Sequence, residues 1–291
     1  MSKIIVLLAA ALALIGSFRV NAAEVTYVLE NGVDGYEGVD DTSIFSESTN
    51  SGGGSTGIFS GTNAQLNLRR ALIRFDLTPI PANATILDVT LSLTVDRSGG
   101  NNSNNPFGLH RVQQAWGEGD VVGASQGGFG GSPNDGDATW TSSSHGNTLW
   151  TAPGGDFITG ASASATSGQA DSVTEWNSAT MAADVQAWLA APDTNFGWLL
   201  LSTQEGTLQI VKRFLSSESV NAKPRLTVVA NIPPPAGADI NGDLAFDAVD
   251  VQLVINAALG IDIEGLDADV NDDTLVTAVD VQIVINAALG I

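Results

Sequence analysis

Thr90-Leu91-Ser92-Leu93-Thr94-Val95 alternates hydroxyl-bearing and apolar side chains without a slip. Strict period-two alternation is the mark of a β-strand with one face in a core and the other in water. Read outward, the strand spans Thr85 to Val95. Runs of similar texture recur at Val25 to Leu29, Leu66 to Leu77, Phe107 to Val112, Gly197 to Ser202, Leu208 to Leu215 and Arg225 to Val229, separated by Gly, Asn and Ser clusters. Leu66 to Leu77 is apolar on both faces, which predicts a central strand. Polar insertions at Gly99 to Asn105 and Gly117 to Asp137 separate the strands. Met181 to Ala190, with Val185, Trp188 and Leu189 at helical spacing, predicts one short helix. Many strands and one helix predict a mainly β domain, an antiparallel β-sandwich of jelly-roll type.

The chain has 291 residues, 32 acidic against 11 basic, for a formal charge of −21. Such a chain is a poor partner for nucleic acid or an anionic membrane. It has no cysteine and only two histidines, His110 and His145, which excludes disulfides, thiolate chemistry and a His-rich metal centre. Lys3, the apolar run Ile4 to Ile15 and Val20-Asn21-Ala22-Ala23 have the form of a secretory signal peptide, residues 1–23, and predict an extracellular or cell-surface protein. Its removal takes two positive charges, and no later stretch is long enough to span a membrane.

The β texture, 24–230, ends at Asn231-Ile232-Pro233-Pro234-Pro235-Ala236-Gly237, where three prolines predict a stiff linker, 231–237. Beyond it, in 238–291, lies an internal repeat. Asp239 to Gly260 reads DINGDLAFDAVDVQLVINAALG and Asp269 to Gly290 reads DVNDDTLVTAVDVQIVINAALG, offset by 30 residues. From Asp239 onward there are 11 acidic residues and no Lys or Arg, a block that needs bound cations to stay compact. Oxygen-bearing residues fall at loop positions 1, 3, 5, 9 and 12: Asp239, Asn241, Asp243, Asp247 and Asp250, then Asp269, Asn271, Asp273, Thr277 and Asp280. With the position-7 carbonyls of Ala245 and Leu275, each loop can surround one Ca2+. Apolar Phe246 and Val276 can join the loops side by side. The helix after the first loop carries Val251, Val254, Ile255 and Leu259 as its apolar stripe, and Gly260 and Gly290 are expected C-caps.

Aspartate at position 12, with a helix only after each loop, resembles the type I dockerin family over Asp239 to Ile291. The resemblance implies a small all-α, EF-hand-like domain that folds on binding two calcium ions and attaches its parent protein to a cohesin. It implies that Ala248-Val249 and Ala278-Val279 help choose that partner, in either of two orientations. Leu244 and Thr274 stand where the family has glycine; a left-handed backbone there costs roughly 1–2 kcal/mol, which lowers the expected affinity.

Strings along Glu24 to Ala230 resemble the DNRLRE family, which overlaps carbohydrate-binding module family 96. They include Asn31-Gly32-Val33-Asp34-Gly35-Tyr36, Asp41-Thr42-Ser43-Ile44, Leu68 to Leu77, Leu109-His110-Arg111-Val112, Pro153-Gly154-Gly155-Asp156-Phe157 and Asp184 to Trp188. The resemblance implies polysaccharide binding, in some members of acidic sugars. Arg70 and Arg74 share one strand face about 13 Å apart, and Lys212 and Arg213 come from another strand; guanidinium grips a uronate carboxylate bidentately. Pairing of the same arginines with Asp76, Glu218 or other acids is the competing reading. Trp116, Trp140, Trp150 and Trp176 can stack on sugar rings, whereas the apolar neighbours of Trp188 and Trp198 point to a core. No acids such as Glu118, Asp120, Asp135, Asp137 and Glu175 are tied into a catalytic pair by the sequence. The expectation is a non-catalytic polysaccharide-binding protein in polysaccharide breakdown, with further calcium sites conceivable in the sandwich. A dockerin-bearing glycoside hydrolase or lyase, and a structural surface protein, are the alternatives.

Overall fold

The computed structural model describes residues 23–100, 104–124, 128–235 and 237–289. The expected signal peptide up to Ala22, Ala236 of the expected linker and the expected C-cap Gly290 lie outside the described residues. One compact unit is Val25–Ala230, and a second contains Asn231–Ile291.

The first unit is mainly β. In chain order its strands are β1 (Ala23–Leu29), β2 (Val39–Phe45), β3 (Gly57–Thr62), β4 (Leu68–Phe75), β5 (Thr85–Ser98), β6 (Asn105–Arg111), β7 (Ser142–Ser144), β8 (Thr148–Leu149), β9 (Ala163–Ser167) and β10 (Ser172–Asn177); helix α1 (Ala179–Ala190) follows, then β11 (Trp198–Ser202), β12 (Lys212–Leu215) and β13 (Arg225–Ile232). Eleven strands form one curled sheet in the order β1-β13-β5-β12-β3-β4-β11-β6-β9, with β10 also on β5 and β2 also on β4. The β2–β4, β4–β11, β11–β6, β6–β9, β3–β12, β12–β5 and β5–β10 pairings are antiparallel.

In β5 the alternation appears as expected: Val89, Leu91, Leu93 and Val95 are buried, while Thr90, Ser92 and Thr94 are half-exposed. Trp176 of β10 lies opposite Leu91 and is fully buried. β4 is interior, between β2 and β11, and Ala71, Leu72 and Ile73 are buried on both its faces. The second face is covered by the chain itself. Leu72 packs in a cluster with Ile44, Val112, Trp116, Ala138, Trp150 and Leu199. The flanks of the polar insertion Gly117 to Asp137, Trp116 and Ala138, lie in this cluster, so the described parts of the insertion and its flanks are more than a spacer between strands: they form a covering segment, whose flanks pack over Leu72 of β4. Its ties include backbone bonds, Gly54 N to Val121 O at 3.1 Å and Ser51 N to Gly131 O at 3.0 Å, and side-chain bonds such as Ser51 Oγ to Asp137 at 2.7 Å.

β2, β3, β9 and β10 are strands that the sequence pattern does not single out. Ser, Thr, Asp and Gly make up more than half of β2, β3 and β9, and β3 is buried at all six positions because neighbours on both sides satisfy its backbone. The expected strand Leu208 to Leu215 is strand only over Lys212–Leu215. Helix α1 starts where Ser178 Oγ accepts from Met181 N at 3.0 Å, and buries Met181, Val185, Trp188 and Leu189. Trp188 and Trp198 are core residues with ring centroids 4.7 Å apart.

In the second unit, α2 (Ala248–Ala258) and α3 (Ala278–Leu289) each follow an acidic loop. Ala238, Ile240, Val254, Ala268, Val284 and Ala287 form its core, with Phe246, Val276, Val251 and Val281 packed against it. Of the expected stripe, Leu259 is exposed. Gly260 closes α2 at φ +73, with Ile261 N donating to Asn256 O at 2.9 Å. Strand β13 runs to Ile232, so the first two residues of the expected linker continue a strand. Among the described residues no helix is long and apolar enough to cross a membrane.

Candidate functional site

The two acidic loops have one hydrogen-bond pattern. In the first, Asp239 accepts from Asp243 N at 3.1 Å and Leu244 N at 2.8 Å, and Asp243 Oδ1 accepts from Ala245 N at 2.8 Å. In the second, Asp269 accepts from Asp273 N at 3.1 Å and Thr274 N at 2.7 Å, and Asp273 Oδ1 accepts from Leu275 N at 2.9 Å. Asn241 and Asn271 accept from the same Asp243 and Asp273 amides at 3.0 and 3.1 Å. Leu244 and Thr274 are left-handed, at φ 66 and 76. The curl that glycine would allow is therefore present without glycine.

At position 12, Asp250 and Asp280 are fully buried. Asp250 Oδ1 accepts from Ile240 N at 2.8 Å and Oδ2 from Asp247 N at 2.9 Å, the latter half of a capping box. Asp280 does the same with Val270 N and Thr277 N, at 3.0 and 2.8 Å. Burial alone would push the Asp280 carboxyl up, but the amides of Thr277, Val270 and Asn271 more than offset it and hold it below the ordinary carboxylate range. Every side-chain group at positions 1, 3, 5, 9 and 12 offers oxygen, as do the position-7 carbonyls of Ala245 and Leu275, a donor set that fits a hard cation. Ala248, Val249, Ala278 and Val279, at the start of the two helices, are all exposed.

The four basic residues expected to bind polysaccharide do not make an open strip. Arg70 grips Glu205 with two bonds of 2.8 Å, donates to Gly154 O at 2.8 Å and stacks on Trp140 and Phe157. Gly154, at φ +99, lets the backbone come this close; a Cβ there would lie 2.6 Å from Arg70 Nη1. Arg74 pairs with Asp40 and stacks on Trp116. Of the two readings of these arginines, pairing with acids is the one the geometry favours, although through Glu205 and Asp40. Lys212 is fully buried and donates to Ser98 Oγ at 2.6 Å, and buried Arg213 pairs with Asp96 and donates to Thr56. Neither has surface to offer a polymer. Trp116, Trp150 and Trp176 are buried as well, which leaves Trp140 half-exposed.

No family model matches this chain, and no curated protein sequence does.

Two features of the β unit escape a reading of the sequence. One is an open groove of about 540 Å³ whose walls include Tyr27, Val33, Asp34, Tyr36, Glu37 and Asp76. It gathers both tyrosines of the chain. Tyr36 donates to Gly38 O and Asp76 O at 2.9 and 3.0 Å, and burial, then the Asp76 charge, raise its phenol above the ordinary range.

The other is a trio of carboxylates, Asp41, Glu118 and Glu218, with an oxygen from each within 4.8 Å of the others. Among the described residues this is the group of three acids so gathered; in the C-terminal loops Asn, Thr and backbone oxygens take several of the places. Asp41 lies on β2, Glu118 on the covering segment and Glu218 just beyond β12. Glu118 Oε1 accepts from Asp41 N at 2.6 Å, Asp41 Oδ2 from Ser217 N at 2.7 Å and Glu218 Oε1 from Ser217 Oγ at 2.7 Å. Burial, then the charge of Glu218, push the Asp41 carboxyl well up, and burial raises Glu118 to about 8. At an effective dielectric of 20, two bare charges within 4.8 Å repel by about 3.5 kcal/mol or more. Asp41 and Glu118 stand 77 positions apart and Glu218 lies farther along still, so no local motif could have revealed the group.

Proposed function

We propose that this is a secreted, non-catalytic, two-module protein that carries a polysaccharide-binding β-sandwich on a calcium-dependent, dockerin-like tail. The observation that carries the reading is the recurrence of one loop geometry at Asp239–Asp250 and Asp269–Asp280, with both sixth positions left-handed. A non-glycine backbone held there twice is strain that a packed but functionless tail has no reason to keep. Asp239, Asn241, Asp243, Ala245 O, Asp247 and Asp250 would hold one Ca2+, and Asp269, Asn271, Asp273, Leu275 O, Thr277 and Asp280 the other. The ion supplies the countercharge that the acidic block lacks. The twin exposed pairs Ala248-Val249 and Ala278-Val279 form two equivalent apolar contacts for a cohesin-type partner.

For the β unit, the groove of Tyr27 and Tyr36 is a better sugar site than the arginines, whose donors are already used. Asp34, Glu37 and Asp76 on its walls repel uronates, so a neutral polysaccharide is the expected ligand. Aromatic faces beside acid acceptors suit sugar rings and hydroxyls.

The test uses the full chain in calcium and in EDTA. Helical circular dichroism should fall in EDTA and return with calcium, and the Asp250→Ala/Asp280→Ala variant should stay low in both. An identical spectrum in calcium and EDTA would refute the metal reading. Incubation with neutral and acidic polysaccharides should give binding without new reducing or unsaturated ends; new ends would make the β unit a hydrolase or lyase.

A further inference from the structure

Three carboxylates in one place are not by themselves a site, because salt bridges and protons can account for them. Here neither account is complete. Asp41 is fully buried, and its Oδ1 has no hydrogen-bond partner; Glu218 Oε2 is buried and equally without one. Buried acceptors are normally satisfied, and an orphan oxygen on a carboxylate grouped with two others is an unusually costly exception. The nearby cation, Arg74, is committed to Asp40 and to the face of Trp116. No Lys or Arg side chain makes a salt bridge to any of the three acids among the described residues.

We propose that Asp41, Glu118 and Glu218 form a calcium site inside the β unit, separate from the C-terminal loops, whose ion clamps the covering segment to the sheet. The three ligands come from three different stretches: β2, the covering segment and the turn after β12. An ion bound to all of them adds to the two hydrogen bonds that already link these stretches, Asp41 N to Glu118 and Ser217 N to Asp41. It also gives the orphan oxygens of Asp41 and Glu218 a partner and replaces mutual repulsion with attraction. The donor set is oxygen alone, which selects a hard cation over zinc or copper. Calcium accepts irregular carboxylate geometry, whereas magnesium requires near-octahedral ligands and retains several waters, for which the buried side of Asp41 has little room. The covering segment also supplies Trp116, two residues before Glu118, to the cluster over Leu72. The clamp therefore stabilises the packing of β4's second face.

Trp-sensitised terbium luminescence, combined with variants of each set of acids, reads this site. Terbium occupies calcium sites, and all six tryptophans lie between Trp116 and Trp198, whereas Asn231–Ile291 contains neither Trp nor Tyr. With the full chain, terbium emission excited through tryptophan should appear and be displaced by calcium. It should be lost in Asp41→Asn and in Glu218→Gln, and retained in Asp239→Asn/Asp269→Asn, which removes a ligand from each C-terminal loop. Tryptophan fluorescence checks that each variant is folded, and either triad variant alone suffices. Absence of sensitised emission, its survival in a folded triad variant, or its loss in the C-terminal variant would overturn the proposal. Displacement by magnesium as effective as by calcium would overturn the choice of ion. None of these outcomes bears on whether the C-terminal helices need calcium, which the circular dichroism experiment reads separately.

Discussion

Replacing Leu244 and Thr274 by glycine removes side chains from backbones that side chains disfavour. Both residues are left-handed, at φ 66 and 76. The conformation costs a non-glycine residue roughly 1–2 kcal/mol. Glycine returns a share of that gain, because it loses more chain freedom on folding, about 0.5–1 kcal/mol. Little apolar burial is sacrificed, since Leu244 is 83% exposed and Thr274 is exposed too. The hydrogen bonds to Asp239 and Asp269 come from the backbone amides and survive the change. The net expectation is a gain of about 0.5–1 kcal/mol at each site, larger at β-branched Thr274. In a unit this small a gain of 1 kcal/mol raises the unfolding midpoint by about 4–8 °C. The assay is thermal unfolding of the full chain followed at 222 nm and, in parallel, by tryptophan fluorescence. Tryptophan reports only the β unit, so a transition seen at 222 nm alone belongs to α2 and α3. That transition should rise in both single variants and further in the double. A midpoint that stays or falls in Thr274→Gly would refute the left-handed loop, and with it the reading of the sixth position.

The two arginines of β4 should differ. Arg70→Ala strips Glu205, Gly154 and two aromatic faces of a partner at a site where the pair is mostly buried, and should cost about 2–4 kcal/mol in urea unfolding. Arg74→Ala breaks a pair that is about one-third exposed and should cost about 1 kcal/mol or less; equal losses would contradict the difference in burial between the two pairs. The carboxyl trio also predicts a pH dependence in EDTA. Burial raises Glu118 from 4.5 to about 8, so the folded chain keeps a proton that the unfolded chain releases between those values. The stabilising contribution is complete below 4.5 and is lost as pH rises through 8, at a slope of up to about 1.4 kcal/mol per unit. Asp41, also raised, adds to the same trend. Urea midpoints of the β unit should fall from pH 5 to pH 8, and Glu118→Gln should flatten the curve; a midpoint that rises over this range would contradict the geometry of the trio.

Local pattern was enough for some of this protein. The alternation of Thr90 to Val95, the helical spacing around Val185 and Trp188 and the 30-residue acidic repeat are each properties of a few neighbouring residues. Backbone periodicity and loop curl follow from short-range sterics and hydrogen bonds, so these could be read in advance. Gly260 as a helix stop and the double burial of β4 belong to the same class. What lay beyond reach was set by distance in the chain. Strand β3, rich in small polar residues, is buried because β12 and β4 flank it. The arginines of β4 look like a free basic strip until Glu205, Asp40, Trp116, Trp140 and Phe157 come to them from elsewhere in the chain. Asp41, Glu118 and Glu218 are ordinary surface-type acids by sequence. Tertiary packing alone brings them together and removes their water, and a carboxylate's chemistry depends on its solvation and its neighbours' charge, which sequence order does not encode.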